Sequence, residues 1–153
     1  MSGRKFNYFL AVRITDASLL ENLRKVHFEF VKSDNTLKNV LVPLEEAHIT
    51  LNVFHVENGR LEELKGILRT TFEESKGLIP PEQIHLQGLN SFGRTIVYAE
   101  PVSGVEFLHQ VHDMFHEVLK RNNVDTDTRS YTPHLTLFNS RGQIKQHLLG
   151  MYV

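Results

Sequence analysis

The sequence predicts an α+β domain, α/β-like in its alternation, with helices packed on a sheet. Three observations carry this. Strand-like and helix-like hydrophobic periods alternate along the chain, no low-complexity linker interrupts them, and a short His-x-Thr-Leu pattern occurs twice in strand-like surroundings. At 153 residues the chain suits one domain, large enough to bury about 68–70% of the surface its unfolded form exposes.

The elements follow in order. The apolar run Tyr8-Phe9-Leu10-Ala11-Val12-Arg13-Ile14, closed by Thr15-Asp16, predicts a buried strand. Ser18 with Glu21 three positions later reads as a capping box, and Leu19, Leu20, Leu23, Val26 and Phe30 then recur at helical spacing. Ala47 to Phe54 is rich in β-branched and aromatic residues and ends at the Asn58-Gly59 break. A second helix carries Leu61, Leu64, Ile67, Leu68 and Phe72 on one face and ends by Gly77 and Pro80-Pro81. Ile84-His85-Leu86 and Thr95 to Ala99 predict two strands joined through Gly88 to Gly93. Val105, Leu108, Val111, Phe115, Val118 and Leu119 mark a third helix, closed by Asn122-Asn123, and Tyr131 to Phe138 predicts a further strand.

Composition removes several classes of function. With no cysteine, a disulfide scaffold, a Cys-ligated zinc site and a thiol nucleophile are all excluded. Seventeen Lys and Arg against 18 Asp and Glu leave no basic excess for gripping a long nucleic acid, so a polyanion is expected to be met locally. No apolar stretch reaches the roughly 18–20 residues that cross a bilayer, and Met1-Ser2-Gly3-Arg4-Lys5 leads into no cleavage pattern. A soluble, intracellular protein of cytoplasm or nucleus, with no membrane partner, is expected.

The chemistry lies in the histidines, of which there are nine. His48-Ile49-Thr50-Leu51 is repeated 86 residues further on as His134-Leu135-Thr136-Leu137. Alternate side chains on a strand share a face, so His and Thr project together while Ile49 or Leu135 points into the core. Two such strands side by side would floor a cleft with two imidazoles and two hydroxyls. One neutral ring can take a proton from water and one protonated ring can give a proton to a leaving oxygen. The hydroxyls can hydrogen-bond the non-bridging oxygens of a phosphodiester. General acid–base catalysis is worth about 10²–10⁴-fold per group, so the pair suffices without metal or other cofactor.

These residues resemble the 2H phosphoesterases, which include the bacterial LigT-like proteins. The similarity is closer to the branch with the central domain of the nuclear A-kinase anchoring protein and the leukocyte-receptor-cluster proteins bearing a cyclic-phosphodiesterase domain. It is carried by Asn7-Tyr8-Phe9-Leu10, Ala47-His48-Ile49-Thr50-Leu51, Ser91-Phe92-Gly93 and Arg129-Ser130-Tyr131-Thr132-Pro133-His134-Leu135-Thr136, in family order across most of the chain. The resemblance implies a bilobal fold, two pseudo-symmetric sheet-plus-helix lobes around a central cleft, with lobe 1 at about 6–94 and lobe 2 at about 95–153. It implies His48 and His134 as the acid–base pair and Thr50 and Thr136 as phosphate ligands, with Tyr131 and Phe92 beside the cleft where a base could stack. The substrate implied is a short RNA or nucleotide with a 2′,3′-cyclic phosphate, hydrolysed at its end. A 2′,5′-phosphodiesterase acting on short oligoadenylates and a non-catalytic module that binds a nucleotide or RNA end are the alternatives. Members usually continue past the second motif through another helix and a closing strand, whereas this chain ends soon after Gln143 to Leu149. That leaves a trimmed chain, a short member, or a sheet whose last position is open.

The other candidates read more plainly. His109, His112 and His116 share a helix face with Asp113 and Lys120, which predicts a solvated polar face rather than a metal site. His55 follows His48 at an odd offset, so on a regular strand it faces away from His48 and Thr50. His27, His85 and His147 have no partner pattern. Arg129 and Arg94 flank the landmarks, where a guanidinium can meet phosphate or stack on a base.

Overall fold

The computed structural model describes residues 6–80, 82–92 and 96–139, together with the backbone of 147–151. In chain order the elements are β1 (Tyr8–Arg13), α1 (Ala17–Ser33), β2 (His48–His55), α2 (Leu61–Ser75), β3 (His85–Phe92), β4 (Ile96–Ser103), α3 (Val105–Arg121), β5 (Asp125–Thr126), β6 (Leu135–Asn139) and β7 (His147–Met151). They form one α+β sheet in the order β3-β4-β6-β2-β1-β7, with β5 added to β2. Every pairing is antiparallel except that of β1 with β7, which is parallel.

The sheet has two halves, β3-β4-β6 and β2-β1-β7, which meet where Ile49 pairs with Leu135. Both residues are fully buried, as the alternation of the two motifs requires. These halves do not coincide with a division of the chain near residue 94, because β3 precedes that point yet pairs with β4. β7, from the end of the chain, lies against β1 and fills an outer position of the sheet.

Each half carries one irregularity, and the two are equivalent. On β2, Leu10 pairs with Asn52 but Ala11 pairs with Thr50, so Leu51 is an extra residue. On β6, Val97 pairs with Phe138 but Tyr98 pairs with Thr136, so Leu137 is an extra residue. Each bulge stands directly after a motif threonine. A bulge exchanges the two faces of a strand, so Leu51 with Asn52, and Leu137 with Phe138, are consecutive buried pairs. His55 therefore lies on the same face as His48 and Thr50, contrary to the offset reading, because that reading assumes an uninterrupted strand.

The helices cover the core face of the sheet. α1 lays His27 and Phe30 against Phe138 of β6, with ring centroids 5.3 and 5.4 Å apart. α3 buries Phe107, Leu108, Val111, Phe115, Val118 and Leu119 and reaches β2 through His112. Each helix thus touches the strand of the other half, which ties the halves into one core around Phe54, Phe115 and Phe138. Burying such side chains stabilises the fold by about 1.5–3 kcal/mol each. Gly104 starts α3 at φ 77°, and a Cβ there would stand 2.7 Å from the Gln83 carbonyl oxygen, so the tight entry to α3 needs glycine.

Two local expectations change. α1 is capped by Asp16, whose carboxylate accepts from the Leu19 amide at 3.0 Å, and not by Ser18, while Glu21 pairs with Arg24 along the helix. The stretch from Gly88 to Phe92 is strand and not connection: Gly88, at φ 82°, sits at a register shift between Leu86 and Leu89 and lets β3 continue.

Candidate active site

The pairing of Ile49 with Leu135 builds the site. In an antiparallel pair, one step along either strand sets His48 across from Thr136 and Thr50 across from His134. All four residues lie on the face opposite the core and are partly exposed. His134 stands just before β6, which begins at Leu135, so Tyr131 to His134 form an irregular approach and not the strand the sequence predicts.

The two imidazoles are anchored alike. His48 Nδ1 lies 2.7 Å from the Glu46 carbonyl oxygen, and His134 Nδ1 lies 2.7 Å from that of Thr132. A carbonyl only accepts, so each Nδ1 carries the proton and donates it, and the neutral ring presents a bare Nε2 to chemistry. Both motifs use the carbonyl two residues before the histidine, so tautomer and ring direction are set by the chain's own approach to the strand.

The surroundings of the rings differ. Phe9, on β1, stacks on His48 at 5.0 Å and 27°. Burial pushes the His48 pKa below that of an ordinary imidazole; the Glu46 carbonyl opposes this, nearby His134 adds to it, and the Glu46 carboxylate opposes it. His134 instead meets the edges of Phe92 at 5.0 Å and Tyr98 at 5.3 Å, and those two rings stack on each other at 4.3 Å.

Phe92 is thus beside the second motif, as the resemblance implies. Tyr131 is on the other side of the sheet's floor: its hydroxyl donates to the Thr50 carbonyl at 2.7 Å and its ring stacks on His112 at 4.3 Å and 6°. Burial raises its phenol pKa far above the usual value, so it stays protonated and a donor. Arg129 is exposed and forms a forked pair with Asp127, with nitrogen–oxygen distances of 2.7 to 3.2 Å. Gly93 and Arg94 lie outside the described residues.

The α3 histidines are not a solvated face. His112 donates from Nδ1 to the Leu51 carbonyl at 2.7 Å, stacks on Tyr131, and has a side chain 13% exposed. His116 stacks on His112 at 5.7 Å and His109 meets the edge of Tyr131 at 5.3 Å. Asn52 and Tyr131 supply the polar niche that a helical wheel does not show. Among the described residues no three His, Asp or Glu side chains converge to hold a metal ion, and no helix is long and apolar enough to cross a membrane.

Sequence reasoning passes over Phe9, Tyr98 and Arg13. All three share the cleft face, since Arg13 pairs with His48, Phe9 stacks on it, and Tyr98 pairs with Thr136. The Arg13 guanidinium donates to the Glu45 carbonyl at 2.6 Å, bracing the loop that delivers His48. The signal available is parity: Phe9, Ala11 and Arg13 alternate with the core residues Leu10 and Val12.

Comparison with known proteins identifies the family and the fold. The family model described as the AKAP7 2′5′ RNA ligase-like domain matches residues 6–149. No curated protein sequence gives a significant match. Among solved structures, the MHV ns2 PDE domain superposes with a TM-score of 0.67 at 16% identity, covering 88% of this chain and 84% of that one. E. coli LigT complexed with 3′-AMP gives 0.62 at 14%, covering 90% and 73%. TT0787 of Thermus thermophilus gives 0.62 at 18%, covering 85% and 72%.

Proposed function

The chain belongs to the AKAP7 2′5′ RNA ligase-like domain family, within the 2H phosphoesterase superfamily of phosphodiesterases, and from that premise we propose that it hydrolyses a 2′,3′-cyclic phosphate at the end of a nucleotide or short RNA. The observation that carries this reading is the matched pair of imidazoles, each anchored through Nδ1 on its own approach loop, flanking one antiparallel step that also presents Thr50 and Thr136.

The environments divide the work. His48, pushed toward the neutral form by burial under Phe9, is the base: its Nε2 takes a proton from water as the water oxygen bonds to phosphorus. The bond from phosphorus to the 2′ or 3′ oxygen breaks, and that oxygen takes a proton from the protonated His134. Thr50 and Thr136 donate to the non-bridging oxygens as charge builds on them. The ring pair then returns to its starting state by exchanging protons with solvent. The cluster of Phe92 and Tyr98 beside His134 offers a face for the base, a contact worth about 1–3 kcal/mol. No step calls on a metal ion. A nucleotide end as ligand is supported by the complex of E. coli LigT with 3′-AMP, a protein of the same fold.

A second reading, cleavage of a 2′,5′-linked oligoadenylate, is favoured by the family's own description, which carries that linkage. The test is to incubate the protein in EDTA with a short RNA ending in a 2′,3′-cyclic phosphate and with a 2′,5′-linked trimer of adenylate, following each by mass. Ring opening that depends on His48 and His134 is expected. Cleavage of the trimer alone would move the assignment to the second reading, and binding of either RNA without turnover would make the domain a nucleic-acid-end binding module.

A further inference from the structure

Among the described residues β2 and β6 pair at Ile49 and Leu135 alone, so the ladder joins the two half-sites at one point. A second tie lies beside it. The chain from Asp127 to His134 runs without regular structure, tethered at its start by the Asp127 amide on the Val53 carbonyl at 2.9 Å. Midway along it the Tyr131 hydroxyl donates to the Thr50 carbonyl at 2.7 Å, which fastens the approach to His134 to the strand of the first motif. The next residue is Thr132, whose carbonyl accepts from His134 Nδ1.

The Tyr131 ring is held in its turn. His112, on α3, lies against it at 4.3 Å and 6°, and His109 meets its edge at 5.3 Å. His112 is pinned through Nδ1 to the Leu51 carbonyl at 2.7 Å, and the amide of the buried Asn52 donates to the His112 backbone carbonyl at 3.2 Å. The bulge on β6 is served by backbone instead, since the Leu137 carbonyl accepts from the Val42 amide at 2.8 Å. Both bulge carbonyls thus find a donor, but only the one on β2 finds a side chain, and that side chain offers Tyr131 a flat face.

We propose that Tyr131, braced by His112, is a positioning residue that holds the approach to the second histidine at a fixed distance from the first motif and so aims His134 Nε2 at the leaving oxygen. This rests on the reading of His134 as the acid of a phosphodiester site shared with Thr50. β2 is the fixed end of the tie, because it pairs with β1 on one side and with β5 and β6 on the other. The irregular approach is the end that gives when the bond is lost. What matters in Tyr131 is then its hydroxyl, whereas a ring that stacked on a base would be served as well by phenylalanine.

The test uses the full chain with Tyr131→Phe, which keeps the ring and loses the bond, and His112→Phe, which keeps a ring face for Tyr131 and loses the bond to Leu51. Side-chain nitrogen NMR reads the tautomer of each imidazole. Alongside it, kcat and KM are read on the RNA that the wild type turns over and on a nucleotide 4-nitrophenyl ester, whose leaving group departs without a proton. Tyr131→Phe is expected to release part of the His134 population to the tautomer protonated at Nε2 and to leave His48, held by the Glu46 carbonyl, unchanged. On the RNA, kcat should fall about ten- to a hundredfold, as misplacement of a reacting group does, with KM little changed. On the nitrophenyl ester both constants should stay near the wild-type values. His112→Phe should give the same pattern more weakly and add little to Tyr131→Phe in the double variant, since both act through one tie. Should Tyr131→Phe fail to fold, His112→Phe is judged by the same readouts. Wild-type kinetics on the RNA, an unmoved His134 tautomer, or equal disturbance of His48 and His134 would overturn the proposal. A shifted His134 tautomer in a protein that turns over neither substrate would sink the enzymatic reading and leave the tie intact.

Discussion

The two half-sites are built on one plan and furnished differently. Each has a histidine anchored through Nδ1 to the carbonyl two residues back, a threonine two residues on, and a bulge immediately after it. Around the first ring lies Phe9, face to face, and burial lowers the pKa. Around the second lie the edges of Phe92 and Tyr98. The repeated parts are those that phosphate geometry demands twice, two hydroxyls and two ring nitrogens. The unlike parts are those that let one ring accept a proton while the other gives one, since two rings in identical settings would compete for the same role.

The comparison breaks most visibly if either ring is removed. His48→Ala and His134→Ala should each lower kcat/KM by about 10²–10⁴-fold, the usual worth of a general acid or base. The double variant should lose little more than the worse single one, because the two act in a single step. A fully additive loss in steady-state kinetics would mean that the half-sites work separately. Next in size, Thr50→Ala and Thr136→Ala should each cost about ten- to a hundredfold in kcat/KM, as the loss of a hydrogen bond to a charged group does, and because these bonds strengthen as charge builds the loss should fall on kcat as well as on KM. A strong effect from one threonine alone would show that the phosphate is held by one half only.

The unlike parts are sharpened by pH. A base works in its neutral form, so kcat/KM should fall on the acid side as His48 becomes protonated. Because its pKa is lowered, that fall should lie below the ordinary imidazole value of about 6.5. Phe9→Ala opens His48 to water, weakening the burial that lowers its pKa, and should move the acid limb up toward that value in the pH–rate profile. An unmoved limb would mean that Phe9 does not set the base. The smallest effect is on stability. His27 and His48 both have lowered pKa values in the fold, chiefly through burial, so the unfolded chain binds protons that the folded one does not. Stability is therefore whole above about pH 6.5 and declines as pH falls from there through the folded values. Melting temperatures measured from about pH 7.5 down to about pH 5, a range that brackets the ordinary imidazole value, should show this decline. It should be smaller in His27→Leu once its lower baseline is subtracted.

Much of this is legible before any coordinates. Two His-x-Thr motifs with apolar residues between the polar ones already say that Ile49 and Leu135 point inward and the polar pairs outward, and the strands do meet at those residues. What parity does not supply is the bulges. Leu51-Asn52 and Leu137-Phe138 carry no glycine to mark an extra residue, and only pairing with β1 and β4 reveals it. Parity alone consequently assigns His55 to the wrong face. His112 is hidden for a related reason: its polarity reads as solvent exposure until Tyr131 and the Leu51 carbonyl, 19 and 61 residues away in sequence, are brought against it. Tyr131 itself is placed near the right strand, but its hydroxyl is spent on the Thr50 backbone.

The central claim is the division of labour, with His48 as base and His134 as acid. It is tested most directly by changing the leaving group. A nucleotide 4-nitrophenyl phosphodiester releases nitrophenolate, which needs no proton to depart, so an enzyme lacking only its acid should cleave it nearly as well as the wild type. His134→Ala is predicted to recover most of its activity on this substrate relative to the cyclic phosphate, whereas His48→Ala stays inactive on both. Recovery by His48→Ala instead, or by neither variant, would contradict the assignment.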